Sequence, residues 1–380
     1  MQSFAAQTAS STMTAASPQI AEQLDDTERE ESLVIQTSFL GDAVLTTPLI
    51  AELGTRGPVD VVVTPASAPL LANNPAIRNL FAYDKRGDQS FSGLWRATRQ
   101  VKGRRISLTA SRRNERRARQ IAYLAQGSWR SAMLALLAGY PERIGFSTSP
   151  GRMLYTQQVL YRDDLHHAER LWRLAFPNSP PGSAAEGANA DDRLLPRLYP
   201  GAAEHDAVDA ALSGHEIRSS LIALAPGSVW ATKRWPYYAD LARRLVDRFT
   251  IAIVGSVADR TAAMEIATVA PGRVIDATGA LTPLGSAELI GRARVLVTND
   301  SLPQHIASAM RTPTVSIFGP TVPAFGFGPL APGSRTAGHA TLACRPCHHH
   351  GPERCPLGHW RCMRELDVAQ VERLITSITG

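Results

Sequence analysis

The 380-residue chain contains no run of the ~18 apolar residues that a membrane-spanning helix needs, so no such helix is expected. Its first 30 residues, MQSFAAQTASSTMTAASPQIAEQLDDTERE, have neither a basic start nor an apolar stretch. That excludes a secretory signal and reads as a disordered tail, residues 1–30. Without an export signal, the cytoplasm is the expected address. Cysteine is scarce: four residues, all near the C-terminus.

The net charge is +6 and the isoelectric point about 9.4. Residues 102–119, KGRRISLTASRRNERRAR, hold eight Lys or Arg and one Glu. Such a block fits contact with phosphates, as in nucleic acid, an anionic lipid surface or a phosphorylated glycolipid. A solvated Arg-rich face is the plainer alternative. The block lacks interleaved aromatics for base stacking, so no nucleic-acid partner is expected.

Short apolar runs alternate with amphipathic segments. Candidate strands are SLVIQT, VDVVVT, LFAYD, QIAYLA and ERIGF in the first half, and LIALAP, TIAIVGS, RVIDATG, RVLVTND and TVSIFGP in the second. They are continuously apolar, as buried parallel strands are. In YYADLARRLVDRF, Tyr238, Leu241, Leu245, Val246 and Phe249 share one helical face. The pattern predicts an α/β protein with two doubly wound domains, residues 31–178 and 219–340. A Pro/Gly/Ala-rich linker, 179–218, joins them, and a Cys-rich loop with a final helix, 341–380, closes the chain. Ligands of such sheets bind at the C-terminal strand ends.

Four stretches at strand ends carry candidate chemistry. In TSFLGDAVLTTP, Gly41 is expected to permit a tight or positive-φ turn, with Asp42 before a helix starting near Ala43. Asp42 either caps that helix or accepts a proton from a substrate hydroxyl. Pro48 predicts a kink. In APGSVWATKRWP, Gly227 and Ser228 offer backbone N–H groups and Lys233 a compact positive charge, a set suited to a diphosphate. That loop lacks the P-loop spacing. In TNDSLPQHIASAM, Asp300 and Ser301 precede a helix starting near Pro303, whose N-terminus suits an anion, and His305 is expected to face it. In FGPTVP, residues 319–321 form a turn able to approach a ligand.

In this order, SFLGD…TTPLI, APGSVWATKRWP, NDSLPQHIASAM and IFGPT resemble glycosyltransferase family 9, the ADP-heptose–lipopolysaccharide heptosyltransferases. ERIGF, HHAERLWRL and CRPC…CPLGHWRCM extend the likeness over about residues 32–375, the last in the manner of heptosyltransferase II-like members. The resemblance implies a GT-B fold, two Rossmann-like domains facing each other across a cleft. It implies inverting transfer of heptose from ADP-L-glycero-D-manno-heptose to the inner core of lipopolysaccharide, at the cytoplasmic face of the inner membrane. Asp42 matches the family's general base, Lys233 its donor-phosphate contact, and Asp300, Ser301 and His305 its diphosphate-holding segment. Leu302 stands where the family usually has Gly and resists a positive φ. No D-x-D motif is seen, and the protein supplies positive charge itself, so no catalytic metal or cofactor is expected. The basic block 102–119 is expected to meet an anionic membrane surface or a phosphorylated acceptor.

Cys344, Cys347, Cys355 and Cys362 follow the spacing C-x2-C-x7-C-x6-C, with four histidines nearby. They are read as a structural Zn or Fe site, as reduced thiols packed in a loop, or as two disulfides. Two further readings stay open: a heptosyltransferase with a protein acceptor, and a non-catalytic nucleotide-binding module with nucleic-acid affinity through its Arg block.

Overall fold

The computed structural model describes residues 29–84, 91–111, 118–179, 190–215, 217 and 220–380. The front lobe holds β1 (Glu30–Gln36), β2 (Val59–Val63), β3 (Ile77–Ala82), β4 (Arg119–Leu124), β5 (Glu142–Phe146) and β6 (Gln157–Val159), in the order β3-β2-β1-β4-β5-β6. The rear lobe holds β7 (Leu221–Ala225), β8 (Thr250–Ile253), β9 (Val274–Asp276), β10 (Val295–Asn299), β11 (Thr314–Phe318) and β12 (Arg335–Gly338), in the order β12-β11-β10-β7-β8-β9. All pairings are parallel. Both orders are doubly wound and reverse beside the lobe's own first strand, between β1 and β4 and between β7 and β10.

The apolar runs have a direct cause. In β1, Val34 points into the cluster shared by the lobes, while Leu33 and Ile35 point into one on the other face. A strand covered on both faces has no reason to alternate. Each anticipated strand is present. β6 and β12 were not anticipated, because QQV and RTAG are short, polar edge strands. On the helix Tyr238–Leu245 and just after it, the five apolar residues of the anticipated face are all buried.

The segment expected to be a linker contains the helices Ala190–Leu194 and Ala202–Leu212, while residues 180–189 lie outside the described part. The second helix buries Val208 and contacts the rear-lobe helix Pro283–Arg292 through His205–Glu288 (2.9 Å). Its composition hid an amphipathic helix, because Ala and charge dominate around one buried Val.

The expected tail, 1–30, lies outside the described residues up to residue 28; Glu30 already belongs to β1. Residues 112–117 of the basic block also lie outside the described part. Lys102 and Arg104 are exposed on the helix Phe91–Ser111, and Arg119 opens β4 and pairs with Glu142 (2.5 Å). Among the described residues, no helix is long and apolar enough to cross a membrane.

One apolar cluster runs through both lobes, from Leu49, Leu53 and Leu171 to Leu289 and Ile306. Hydrogen bonds reinforce it. The His167 amide donates to Gly326 O (2.7 Å), His166 Nε2 meets Gly328 O (3.0 Å), and Arg170 Nη2 donates to Phe325 O (3.1 Å). Arg170 is 3% exposed and also reaches Tyr161 Oη (2.9 Å) and Asp163 O (2.6 Å). Hydrogen bonds from a charged donor are the stronger kind, so Arg170→Ala is expected to lower the unfolding free energy by about 2–3 kcal/mol, measured by urea denaturation.

Candidate active site

The helix after β1 spans Leu40–Leu45, with Phe39 at its N-cap in extended backbone. It starts three residues before the expected Ala43, so Asp42 is its third residue and not its cap. The carboxylate turns back to accept the Ser38 hydroxyl and a bond from the Phe39 amide. That is the carboxylate half of a capping box. Capping and facing the cleft are therefore compatible for Asp42. The helix breaks after Leu45, and Pro48 lies in the first turn of the next, Thr47–Gly54, as the kink required.

Of the tight or positive-φ turn that Gly41 would permit, the positive φ is not used. Its lack of a side chain matters for another reason: a Cβ there would come 2.9 Å from His305 Cδ2. His305 belongs to the rear-lobe helix Leu302–Ala309, so this glycine is a point of close approach between the lobes. His305 faces Gly41 and Asp42 of the front lobe, which the sequence reading did not foresee.

Asp42 lines a cavity of about 280 Å³ with Gln36, Ser38, Gln126, Thr148 and His167. The cavity lies beyond the C-terminal ends of β1, β4 and β5, at the point where the strand order reverses. His167, in the first turn of the helix His167–Trp172, brings Nε2 to 3.7 Å from Asp42 Oδ1.

The equivalent point of the rear sheet carries Lys233, on a short turn after β7, and Asp300, just after β10. Lys233 Nζ lies 2.6 Å from Asp300 Oδ2, and both side chains are about nine-tenths buried, at 10% and 9% exposure. Asp300 also accepts bonds from Thr321 Oγ1 (2.7 Å) and Gln304 Nε2 (3.1 Å). A carboxylate does not itself bind a diphosphate, so Asp300 acts on Lys233 by holding it. Thr321 gives the Gly-Pro-Thr turn a concrete contact. Of the crowded loop, only Lys233 sends a cation inward: Arg234 bonds to Ser228 O (2.8 Å), and Trp235 is core, its indole donating to Leu366 O (3.1 Å).

Gly227 and Ser228 are partly exposed beside this pair. Gly227 O faces the Asn299 amide (3.3 Å) and the Ser301 hydroxyl (3.4 Å). A Cβ at Gly227 would meet Asp259 Oδ1 at 2.2 Å, so the glycine is required by that neighbour. Ser301 is the N-cap of the Leu302 helix, at φ −154° and ψ 179°, and its side chain makes no capping bond. Leu302 is the first helical residue and is not among the positive-φ positions, so replacing the family's glycine costs no backbone strain here.

Charge in the cleft is set by burial. Asp42 keeps 19% of its side chain exposed, yet the surrounding walls desolvate it and raise its pKa above the ordinary 3.8. The Ser38 hydroxyl and His305 oppose that rise. Burial lowers His166 and His305 to about 4 and His167 to about 3, so these imidazoles are neutral near pH 7.

The tail also reaches this cleft. His350 lies within electrostatic reach of both Lys233 and Asp42, and its ring centroid is 6.1 Å from that of Phe39. Thr232 donates to Pro352 O, and a Cβ at Gly351 would sit 3.0 Å from Lys233 Cε. Arg345, between the first two cysteines, donates to the carbonyls of Phe318 (2.9 Å) and Thr321 (3.1 Å), and also to those of Gly319 and His339. It thereby fastens the loop to the end of β11. All four cysteine thiols are free, and Cys362 is buried against the rear core. Among the described residues, no three His, Cys, Asp or Glu side chains are grouped to hold a metal ion, the four cysteines included. Ser38 and His167 line the cleft without having been singled out in the sequence, His350 was noted only for its nearness to the cysteines, and Thr321 belongs to the turn that was. Each lies in or beside a noted motif, but only the folded chain turns it toward the cleft.

Two doubly wound lobes that oppose a carboxylate at one switch point to a buried lysine at the other have the GT-B architecture of nucleotide-sugar glycosyltransferases. The chain belongs to glycosyltransferase family 9, the heptosyltransferases, whose pattern matches residues 111–360, more than half of its length. Lipopolysaccharide heptosyltransferase 2 of Escherichia coli is 28% identical over 312 residues, covering 77% of this chain and 84% of that protein. Lipopolysaccharide heptosyltransferase 1 of Pseudomonas aeruginosa is 27% identical over 341 residues, covering 83% and 85%. In fold, the chain is similar to the E. coli ADP-heptose lipopolysaccharide heptosyltransferase II structure, with a TM-score of 0.71, 23% identity, and coverage of 92% and 98%.

Alanine at position 41 pits two effects against each other. It gains up to ~1 kcal/mol of helix propensity, whereas overpacking against His305 costs roughly 1–3 kcal/mol. Gly41→Ala is therefore expected to destabilise the protein and slow turnover, read by urea unfolding and a transfer assay. The neutral imidazoles predict acid sensitivity. Below about pH 6.5, the ordinary value for His, the unfolded chain binds protons that His166, His167 and His305 refuse until about 4, 3 and 4. Stability is expected to fall as the pH drops through this window, which urea midpoints at pH 7, 6, 5 and 4 will show.

Proposed function

We propose that this glycosyltransferase moves heptose from an ADP-heptose to a hydroxyl of the lipopolysaccharide core, with inversion at the anomeric carbon. The observation that carries the mechanism is the placement of Asp42 at the front switch point, within electrostatic reach of the rear-lobe His305. The relatives' names support the substrate pair.

In this reading, the acceptor oxygen attacks the anomeric carbon as the bond to the diphosphate breaks. ADP departs with the electron pair, and the acceptor proton passes to the Asp42 carboxylate. Its raised pKa makes it a better base than an ordinary aspartate. Lys233, pre-oriented by Asp300, and the amides near Ser301 and Gly227–Ser228 stabilise charge on the leaving diphosphate. Closure of the lobes keeps water from the donor. Work at the cytoplasmic membrane face, with Lys102 and Arg104 toward anionic headgroups, fits their exposure.

Asp42→Asn is expected to cut turnover by roughly 10²–10⁴-fold while leaving ADP binding unchanged. ADP release with heptose-deficient core glycolipid measures the first, and calorimetry the second. Because Asp42 must be ionised to act, the acid limb of the wild-type rate profile is expected above pH 3.8. A variant that keeps transferring heptose would remove Asp42 from the mechanism.

A further inference from the structure

Asp42 does not stand alone in its cavity. His167 Nε2 lies 3.7 Å from Asp42 Oδ1, and both residues line the same cavity. The other carboxylate oxygen is occupied by the Ser38 hydroxyl, and the Phe39 amide bonds to the group as well. His167 Nδ1 is buried and has no hydrogen-bond partner. The ring is seated by its own helix, by the amide bond to Gly326 O (2.7 Å) and by Phe327, whose ring centroid is 4.9 Å away.

A neutral imidazole carries one proton. With a carboxylate facing Nε2 and nothing facing Nδ1, the proton belongs on Nε2. We propose that His167 is a positioning residue for Asp42. Its Nε2–H holds Oδ1 on one side while Ser38 holds Oδ2 on the other, so the free lone pair of the carboxylate points into the acceptor cavity. The separation is longer than a hydrogen bond, and contacts of this kind commonly shorten when substrate fills the site.

The inference rests on Asp42 as the base and deepens that reading. It also has a sign. Groups facing Asp42 are Ser38, the Phe39 amide, His167, His305 and His350. Those facing His167 are Asp42, Arg170, His166, His305 and Phe327. Removing an N–H donor from beside the carboxylate favours its protonated form. The acid limb of the rate profile then moves to higher pH.

The test compares His167→Ala, His167→Gln and Asp42→Asn in the full chain, using kcat, KM for the ADP-sugar and acceptor, and the pH profile. Loss of the donor in His167→Ala is expected to lower kcat by roughly 10-fold to 100-fold and shift the acid limb upward, with KM for the ADP-sugar unchanged. His167→Gln, which retains an N–H donor, is expected to recover most of kcat and return the limb. Thermal melts identify a variant that fails to fold; if that is His167→Ala, then His167→Phe, which fills the ring's space without an N–H donor, carries the comparison and is expected to show the same upward shift of the limb. An inactive Asp42→Asn beside an unshifted limb in the donor-less His167 variant would overturn the role of His167 and leave Asp42 as the base. An active Asp42→Asn would overturn both assignments.

Discussion

The close approach of the His305 ring to Gly41 is the contact on which the cleft depends. With no Cβ at position 41, the first helix of the front lobe lies directly against the first turn of a rear-lobe helix. The shared apolar cluster and the bonds from residues 166–170 to residues 325–328 hold the same arrangement. Two strand-end sites belonging to separate sheets thus become one site. A larger residue at position 41 would act on geometry first and on chemistry only through it.

Within that frame, the charges are arranged before any substrate arrives. The long side chain of Lys233 is already fixed by Asp300, itself held by Thr321 and Gln304. The nearby imidazoles are neutral, so Asp42 faces dipoles more than full charges. Its ionisation is therefore governed by desolvation, opposed by the hydroxyl and amide directed at it.

The C-terminal loop belongs to this picture as much as the two sheets do. Arg345 ties it to the carbonyls at the end of β11, and Cys362 and Met363 anchor its far side in the rear core. Between those anchors the His348–His350 segment runs to the rim of the cleft, near Lys233 and Asp42. Cysteine spacing drew attention to the loop, but in the folded chain its arginine and histidines make the contacts that define the site.

The sequence by itself determined the α/β class, the two lobes, nearly every strand and the places where Asp42, Lys233 and Asp300 leave the sheets. Those features are written in local periodicity and in turn residues at strand ends, which act over a few neighbours. It was silent on the edge strands β6 and β12, where short polar segments pair because a neighbour offers free backbone groups. It was silent too on the helices within the segment 179–218, one of them anchored by the buried Val208. Only the tertiary structure decided that Asp300 pairs with Lys233 across 67 residues of chain, that His305 packs on Gly41, and that His167 turns toward Asp42. Each of these joins groups distant in sequence, and their meeting is set by how the sheets pack, which no local pattern encodes.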